Sequence, residues 1–375
     1  MSFSKYVLDN TNKELSTLEN KEIYIQLLNY VKEQADKKAL NSDKKKVYYI
    51  SAEFLIGKLL SNNLINLGIY EEIEKEILNL KKEMVSIEGD VRDLRHLKEV
   101  FDKYQPELVI HMAAQPIVRA SYEDPVYTYE TNVMGTVNLL ECVRQTDSVK
   151  SVLNVTTDKV YENRELTRGY VEEDFLDGYD PYSNSKSCSE LVTHSYIKSF
   201  FQDRDIAVST ARAGNVIGGG DFAPDRVIPD CARAALERRE MSIRNPKSIR
   251  PYQHVLEPLY VYLTILERQY EDHSLAGYYN VGPDDADCVN TGHLVELFQK
   301  YWGEGFFYQN RPDGGPHEAG FLKLNCDKLK RVFGWQPTRG IEDAIEWTVD
   351  WFRAYGAGED MEQITSEQIA RWYEK

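Results

Sequence analysis

Ser151-Val152-Leu153-Asn154-Val155-Thr156-Thr157-Asp158-Lys159 is the stretch that decides the fold. Its first six residues read as a buried, β-branched strand, and the strand delivers hydroxyls, an acid and a base at its carboxyl end. In open α/β sheets that end is where ligands bind. About one strand and loop further on, Tyr182-Ser183-Asn184-Ser185-Lys186 sets a phenol and an ammonium one helical turn apart, on one face of a helix. A cation beside a phenol favours the phenolate and lowers the tyrosine pKa towards the range useful for a general base. Without that setting, Tyr182 and Lys186 read as an exposed helix start, and Asp158 with Lys159 as a salt-bridging pair at a strand end.

Outward from this strand, the chain from Met84 alternates strands and helices. Strands are expected over Met84 to Val91, Leu108 to Ala114, Ser151 to Thr157 and Ile206 to Ala213. Helices are expected near Leu94 to Tyr104, Tyr127 to Arg144 and Ser183 to Phe201. Such alternation implies βαβ units, and right-handed crossovers stack them into a parallel sheet. The expected fold class is therefore α/β, a Rossmann-like doubly wound parallel sheet. After Gly218 the chain is mixed, with helices over Ile228 to Arg239 and His254 to Arg268, and reads as a smaller C-terminal substrate-binding lobe. Ahead of the sheet come a helical pattern over Lys21 to Val31, a short strand Val47-Tyr48-Tyr49-Ile50, a helix over Phe54 to Ile65 and a charged amphipathic tail from Glu71 to Leu80. The expected division is a mostly helical segment 1–80, a Rossmann-like part 81–217, and a lobe 218–375 from which some segments return to the sheet.

The 375 residues, 42% of them apolar, can furnish an ordinary core. A formal charge of -16 and a pI near 5.0 argue against nucleic acid or anionic membranes as partners. Cys142, Cys188, Cys231, Cys288 and Cys326 are scattered, with no C-x-x-C and no histidine cluster, so neither a disulfide framework nor a metal site is expected. There is no apolar signal core and no run long enough to span a bilayer, so the expected location is the cytoplasm.

Four stretches carry a family resemblance: Asn154 to Tyr161 (NVTTDKVY), Gly178 to Lys186 (GYDPYSNSK), Arg212 to Asp221 (RAGNVIGGGD) and Ser248 to Val255 (SIRPYQHV). They resemble the CDP-glucose 4,6-dehydratases of the extended short-chain dehydrogenase/reductase family, and the resemblance runs from about Lys81 to the C-terminus. Lys46 to Gly68 resembles instead the N-terminal part of glycogen phosphorylase, so the chain looks chimeric. That second family needs several hundred further residues, including those that hold pyridoxal phosphate, and nothing downstream matches them.

The dehydratase resemblance implies NAD as cofactor, CDP-glucose as substrate and a homodimer as the common assembly. It gives Tyr182 the proton of the sugar C4 hydroxyl, with Lys186 lowering its pKa and contacting the nicotinamide ribose, and Thr157 orienting the same hydroxyl. Asp158 would protonate the departing C6 oxygen, and Lys159 would be the base at C5. Asp90 and Val91 match the pair that receives adenine, and Ala113 and Ala114 the small residues beside the pyrophosphate. Thr131 matches a position near the nicotinamide, and Asn132 one near the substrate. Asn215, the glycines 218–220, Arg244 and Arg250 are expected to hold the nucleotide sugar, the arginines through forks suited to a diphosphate. Read bare, Asp90 caps the helix opening at Leu94, the alanines pack tightly and the arginines are solvated. His254 and His317 are expected to be structural.

A nicotinamide dinucleotide on such a sheet normally sits on a G-x-x-G-x-x-G turn after the first strand. This chain contains no such motif. With Val47 to Ile50 as the first strand, the glycine slots fall near Ser51, Phe54 and Gly57, and Phe54 puts a ring where the backbone must approach the phosphates. The expected function is NAD-dependent dehydration of CDP-glucose. One alternative is a catalytically impaired fusion without its glycine-rich loop. The other is a nucleotide-sugar 4-epimerase, which shares Tyr182 and Lys186 but has no use for Asp158 and Lys159.

Overall fold

The computed structural model describes residues 47–50, 85–311 and 320–373, all within one compact unit, Lys46–Lys375. The helices expected over Lys21 to Val31 and Phe54 to Ile65, the tail from Glu71 to Leu80, the glycine slots near Ser51, Phe54 and Gly57, and His317 lie outside the described residues.

The central sheet is parallel throughout, with β1 (Val47–Ile50), β2 (Leu108–His111), β3 (Ser151–Thr157), β4 (Ala207–Ala213) and β5 (Tyr278–Val281) side by side in that order. Val47 lies opposite Leu108, Leu108 opposite Ser151, and Thr157 opposite Ala213. The Val47 segment thus occupies the place beside β2. Side chains alternate across the pleat. Val109, Val152 and Val208 enter one core with Leu97 and Phe101 of α1 (Leu94–Tyr104) and with Leu139, Leu140 and Val143, which lie on the helix Gly135–Gln145. Leu108, Ile110, Leu153 and Ala211 enter the other, against Val261, Ile265 and Leu266 of the helix Leu256–Glu271. Each face is covered by helices, which is the doubly wound arrangement. Burial of a ring such as Phe101 contributes about 2–3 kcal/mol.

Residues 85–90 are not the strand expected over Met84 to Val91. They are irregular, and Val91 begins a turn. An extended segment becomes a strand only where a neighbouring backbone takes its hydrogen bonds. Among the described residues the ladder stops at β1, so nothing there pairs with 85–90. β2 also ends earlier than Ala114: beyond His111 the chain leaves the ladder, and the Gln115 amide is held by the Asn132 side chain instead. The helix expected from Tyr127 to Arg144 is a short helix Pro125–Tyr129, a π-turn Glu130–Met134 and the helix Gly135–Gln145 in succession.

Past Gly214 three small two-stranded sheets pair Asn215–Ile217 with Tyr252–His254, Glu240–Ile243 with Phe307–Asn310, and Ile249–Arg250 with Val289–Asn290. Ile217, Met241, Ile243 and Tyr252 of these strands enter a third core with Ile228, Phe298, Ile345 and Phe352. His254 ends a strand rather than opening the helix that follows it, which begins at Leu256.

Candidate active site

β3 ends at Thr157, and the chain turns at once into one 3₁₀ turn, Asp158–Val160. The turn buries Asp158 completely, at 0% exposure. Its Oδ1 accepts from Thr157 Oγ1 at 3.0 Å and from Lys159 Nζ at 2.9 Å, and the same ammonium donates to Asn215 Oδ1 at 2.9 Å. Asp158 Oδ2 has no hydrogen-bond partner among the described residues. A buried carboxylate oxygen without a donor is costly unless something else meets it. Asn215 is thereby brought to the Asp158–Lys159 pair.

Tyr182 and Lys186 sit on α2 (Pro181–Tyr196), which starts where the Asp180 carboxylate accepts the Ser183 amide at 2.9 Å and Pro181 fills the first turn. Gly178, just before, lies so close to Ser183 that a β-carbon there would stand 2.3 Å from its carbonyl carbon. The Tyr182 phenol lies within reach of the Thr157 side chain. Burial raises its pKa and the Asp158 charge adds to this, while Thr157 and the Arg226 charge oppose it. The phenol is therefore held up, where the helical spacing from Lys186 implied a lowering, because burial is a tertiary effect larger than the other contributions. Lys186 is buried and donates to the Val155 carbonyl of β3 at 3.1 Å.

A shell of buried polar groups holds this pair of elements. Asn132 accepts from the Gln115 amide at 2.7 Å and donates to Gln115 O and Ser185 Oγ, so its amide clamps the segment after β2 to α2. Glu190, one turn past Lys186, accepts from Thr156 Oγ1 of β3 and from Thr210 Oγ1 and Arg212 of β4. Sequence reasoning passed over Gln115, Glu190 and Arg212. The i, i+4, i+8 series Tyr182, Lys186, Glu190 is the signal that points to Glu190.

The other expected residues are placed less directly. Arg244 donates to Asp225 Oδ1 at 2.6 Å, and Arg250 is buried with a bond to the Ile249 carbonyl. The glycine run serves packing: a β-carbon on Gly219 would stand 2.1 Å from the Trp351 ring, and one on Gly218 2.8 Å from Val255. The Asp90 carboxylate is bonded to the Arg92 guanidinium and backbone amide, and it is Asp93, not Asp90, that caps α1. Asp90 and Arg92 line an open depression of about 490 Å³ with Asp93, Glu130, Met134 and Asn138. That depression lies at the expected adenine end, away from Tyr182. Val91 packs so tightly on Gly135 that a β-carbon there would stand 2.6 Å from its methyl. Ala113 and Ala114 are buried. Burial, with the Arg339 charge adding, pushes the His254 imidazole down to about 4, as befits a histidine wedged against Trp347.

A parallel, doubly wound sheet with a tyrosine, a lysine and strand-end hydroxyls at its carboxyl edge defines a Rossmann-like short-chain dehydrogenase/reductase enzyme. The chain belongs to the GDP-mannose 4,6 dehydratase family, whose profile matches residues 54–348. It is 44% identical over 301 residues to CDP-glucose 4,6-dehydratase of Salmonella typhimurium, covering 79% of this chain and 84% of the relative. A second similarity, 50% identity over 88 residues, is to maltodextrin phosphorylase of Streptococcus pneumoniae; it covers 24% of this chain and 12% of that protein. Among solved structures, UDP-glucose 4-epimerase of Thermus thermophilus in complex with NAD matches with a TM-score of 0.64 at 25% identity, over 75% of this chain and 94% of that one.

The residues at the catalytic end fit a nicotinamide cofactor. Thr131 Oγ1 is buried and without a hydrogen-bond partner among the described residues, and Ala113 and Ala114, beyond β2, carry small buried side chains. Among the described residues no helix is long and apolar enough to cross a membrane.

Proposed function

We propose that the protein is a lyase that dehydrates CDP-glucose to CDP-4-keto-6-deoxyglucose with NAD. The observation that carries this is the Thr157–Asp158–Lys159–Tyr182 cluster, buried except for the half-buried Lys159, with Asp158 Oδ2 unpartnered among the described residues. Bound NAD would supply the oxidation at C4 and the reduction at C6. Thr131 and Lys186 would hold the nicotinamide half, Ala113 and Ala114 would lie beside the pyrophosphate, and Asp90 and Val91 would receive the adenine. Tyr182 removes the C4 hydroxyl proton while Thr157 fixes that hydroxyl. The ketone at C4 acidifies the C5 proton. Lys159 takes it, Asp158 protonates the leaving C6 oxygen and water departs, and Lys159 gives its proton back to C5 as C6 is reduced.

The 2.9 Å bond between Lys159 and Asp158 supports these roles, because it holds the proposed base and the proposed acid side by side, as the elimination needs. Asn132 and Asn215 border the sugar, and Arg244 and Arg250 hold its diphosphate. We also propose a homodimer in the cytoplasm, supported by the exposed Leu191 on α2 and Phe200 just beyond it and by free cysteines throughout. The phosphorylase-like segment 1–80 is read as a separate origin for the N-terminal part, ahead of a Rossmann-like part 81–217 and a lobe 218–375.

The test is CDP-[4-²H]glucose with NAD, followed by mass spectrometry and NMR. Loss of one water with deuterium at C6 is the expected result. A CDP-hexose of unchanged mass would favour the 4-epimerase, against which Asp158 and Lys159 argue. No conversion and no NAD binding by the folded protein would favour an impaired fusion, the reading that the missing glycine motif supports.

A further inference from the structure

The ladder between β3 and β4 ends where Thr157 lies opposite Ala213. Asp158 and Lys159, the acid and base of the proposed elimination, come directly after it, on the turn Asp158–Val160. Side chains hold that turn. Ser187 Oγ of α2 donates to the Val160 carbonyl at 2.7 Å, and Thr156 and Tyr161, which stand on either side of residues 157–160, are both tied to Arg212. On the strand side Thr156 Oγ1 donates to Glu190 Oε1 at 2.6 Å, and Arg212 Nε and Nη2 donate to the two Glu190 oxygens at 3.0 Å each. On the far side Arg212 Nη1 donates to the Tyr161 hydroxyl at 2.9 Å, and that hydroxyl donates to Asn280 Oδ1 at 2.6 Å. Asn280, on β5, is fixed in turn: its backbone amide donates to Glu172 Oε1 at 2.9 Å and its Nδ2 to the Tyr170 carbonyl at 2.8 Å.

Tyr161, Glu190, Arg212 and Asn280 are each at most 1% exposed. Burial pushes the Tyr161 phenol up against the Arg212 charge, so the hydroxyl keeps the proton that it gives to Asn280. Opening any bond of such a network leaves a buried group without its partner, which is why a satisfied buried network is stiff. The groups that act at C4 are placed by other means. Tyr182 and Lys186 stand on α2, and Thr157 has the ladder.

We propose that Tyr161 and Thr156, joined through Arg212 and Glu190, are positioning residues for the elimination pair: they hold both ends of the turn that carries Asp158 and Lys159, and so govern water loss across C5 and C6 without governing oxidation at C4. This rests on the dehydratase reading given above. A loosened turn moves Asp158 and Lys159 relative to the sugar, and a misplacement of about 1 Å costs up to about 10²-fold in rate.

The experiment follows one turnover of CDP-glucose by the NAD-loaded full chain, for the unaltered protein and for Tyr161→Phe, Thr156→Val and Thr156→Ser. Absorbance reads the reduced nicotinamide, and mass spectrometry of quenched samples reads the dehydrated product. In Tyr161→Phe and Thr156→Val, water loss is expected to slow about 10-fold while oxidation at C4 stays within about twofold, so that reduced nicotinamide accumulates. Thr156→Ser keeps the hydroxyl and is expected to match the unaltered protein. A merely structural role lowers Tm and leaves the two steps in proportion, so equal slowing of both steps, or of neither, overturns the proposal. Thr156→Val decides the matter if Tyr161→Phe fails to fold. Reductive methylation of the same proteins without ligand supplies a second readout. Lys159 is expected to react about threefold faster in Tyr161→Phe and Thr156→Val, measured against Lys150, whose pair with Asp205 lies outside the network; an unchanged ratio overturns the proposal. The two readings fail separately. If the unaltered protein does not turn over CDP-glucose, the dehydratase assignment falls, and the methylation ratio decides whether the turn is held in this way. If it does turn over CDP-glucose but both steps slow together in the variants, the positioning role falls and the dehydratase assignment stands.

Discussion

Glu190→Gln tests the polar bolt behind the catalytic strand. Glu190 and Arg212 are 0% and 1% exposed, with Arg212 Nε and Nη2 each 3.0 Å from a Glu190 oxygen. Thr156 Oγ1 at 2.6 Å and Thr210 Oγ1 at 2.8 Å complete the carboxylate's shell. Glutamine keeps the shape and one acceptor oxygen but leaves the guanidinium buried without its counter-charge. Removing one partner of a buried pair costs about 3–5 kcal/mol, which lowers the melting temperature of a unit this size by roughly 5–15 °C. The effect has a pH signature. Burial pushes the Glu190 carboxyl up, but the Arg212 charge, with His194 and Thr156, outweighs it and brings it down to about 2. An unfolded glutamate titrates near about 4.3. The stabilisation is therefore fully present above that value and is lost as pH falls towards 2. Thermal melts of both proteins from pH 8 down to pH 3 should show a gap that is constant above about pH 5 and narrows below it. Equal melting temperatures at neutral pH, or a gap that does not shrink in acid, would refute the reasoning.

Tyr182→Phe is expected to lower turnover of CDP-glucose by about 10²–10⁴-fold while calorimetric NAD affinity stays within about twofold; an undiminished rate rules the phenol out as base. Asp158→Asn removes the acid but keeps the size of the side chain. It should slow water loss by a similar factor, and mass spectrometry that finds the dehydrated product at the original rate contradicts the role given to Oδ2. Replacing Ser51 and Phe54 together by glycine should tighten NAD binding at least about tenfold, since glycines there would admit the phosphates to the backbone. No change in affinity would mean that the segment after β1 is not the cofactor turn.

How far these sites could be read in advance depends on the range of the forces that make them. β3 and α2 were legible because their signals are local: a β-branched run of strand length, and a Tyr–Lys pair one turn apart. α1 was legible for the same reason, though its cap proved to be Asp93. Residues 85–90 misled because the extended reading of a segment says nothing of whether a neighbour exists to pair with it. The Tyr182 shift misled because Lys186 is visible in the spacing and burial is not. Glu190 and Arg212 are 22 residues apart on different elements, and no periodicity joins them. The bonds of the Asn132 amide to Gln115 and Ser185 were not legible either, because they are set by how the segment after β2 meets α2.

The same distinction bears on the junction between the two ancestries. Val47–Ile50 lies within the stretch that resembles a phosphorylase, yet it pairs in parallel with Leu108–His111 of the dehydratase-like sheet. A ladder is built from backbone amides and carbonyls, which every residue but proline provides, so a strand of foreign origin can take a place beside β2 provided it is extended and free of proline. A pyrophosphate turn is different in kind. It needs glycines at set positions because a side chain excludes the phosphate from the amides, and ancestry decides whether they are there. Sheet completion is thus generic and cofactor capture is specific.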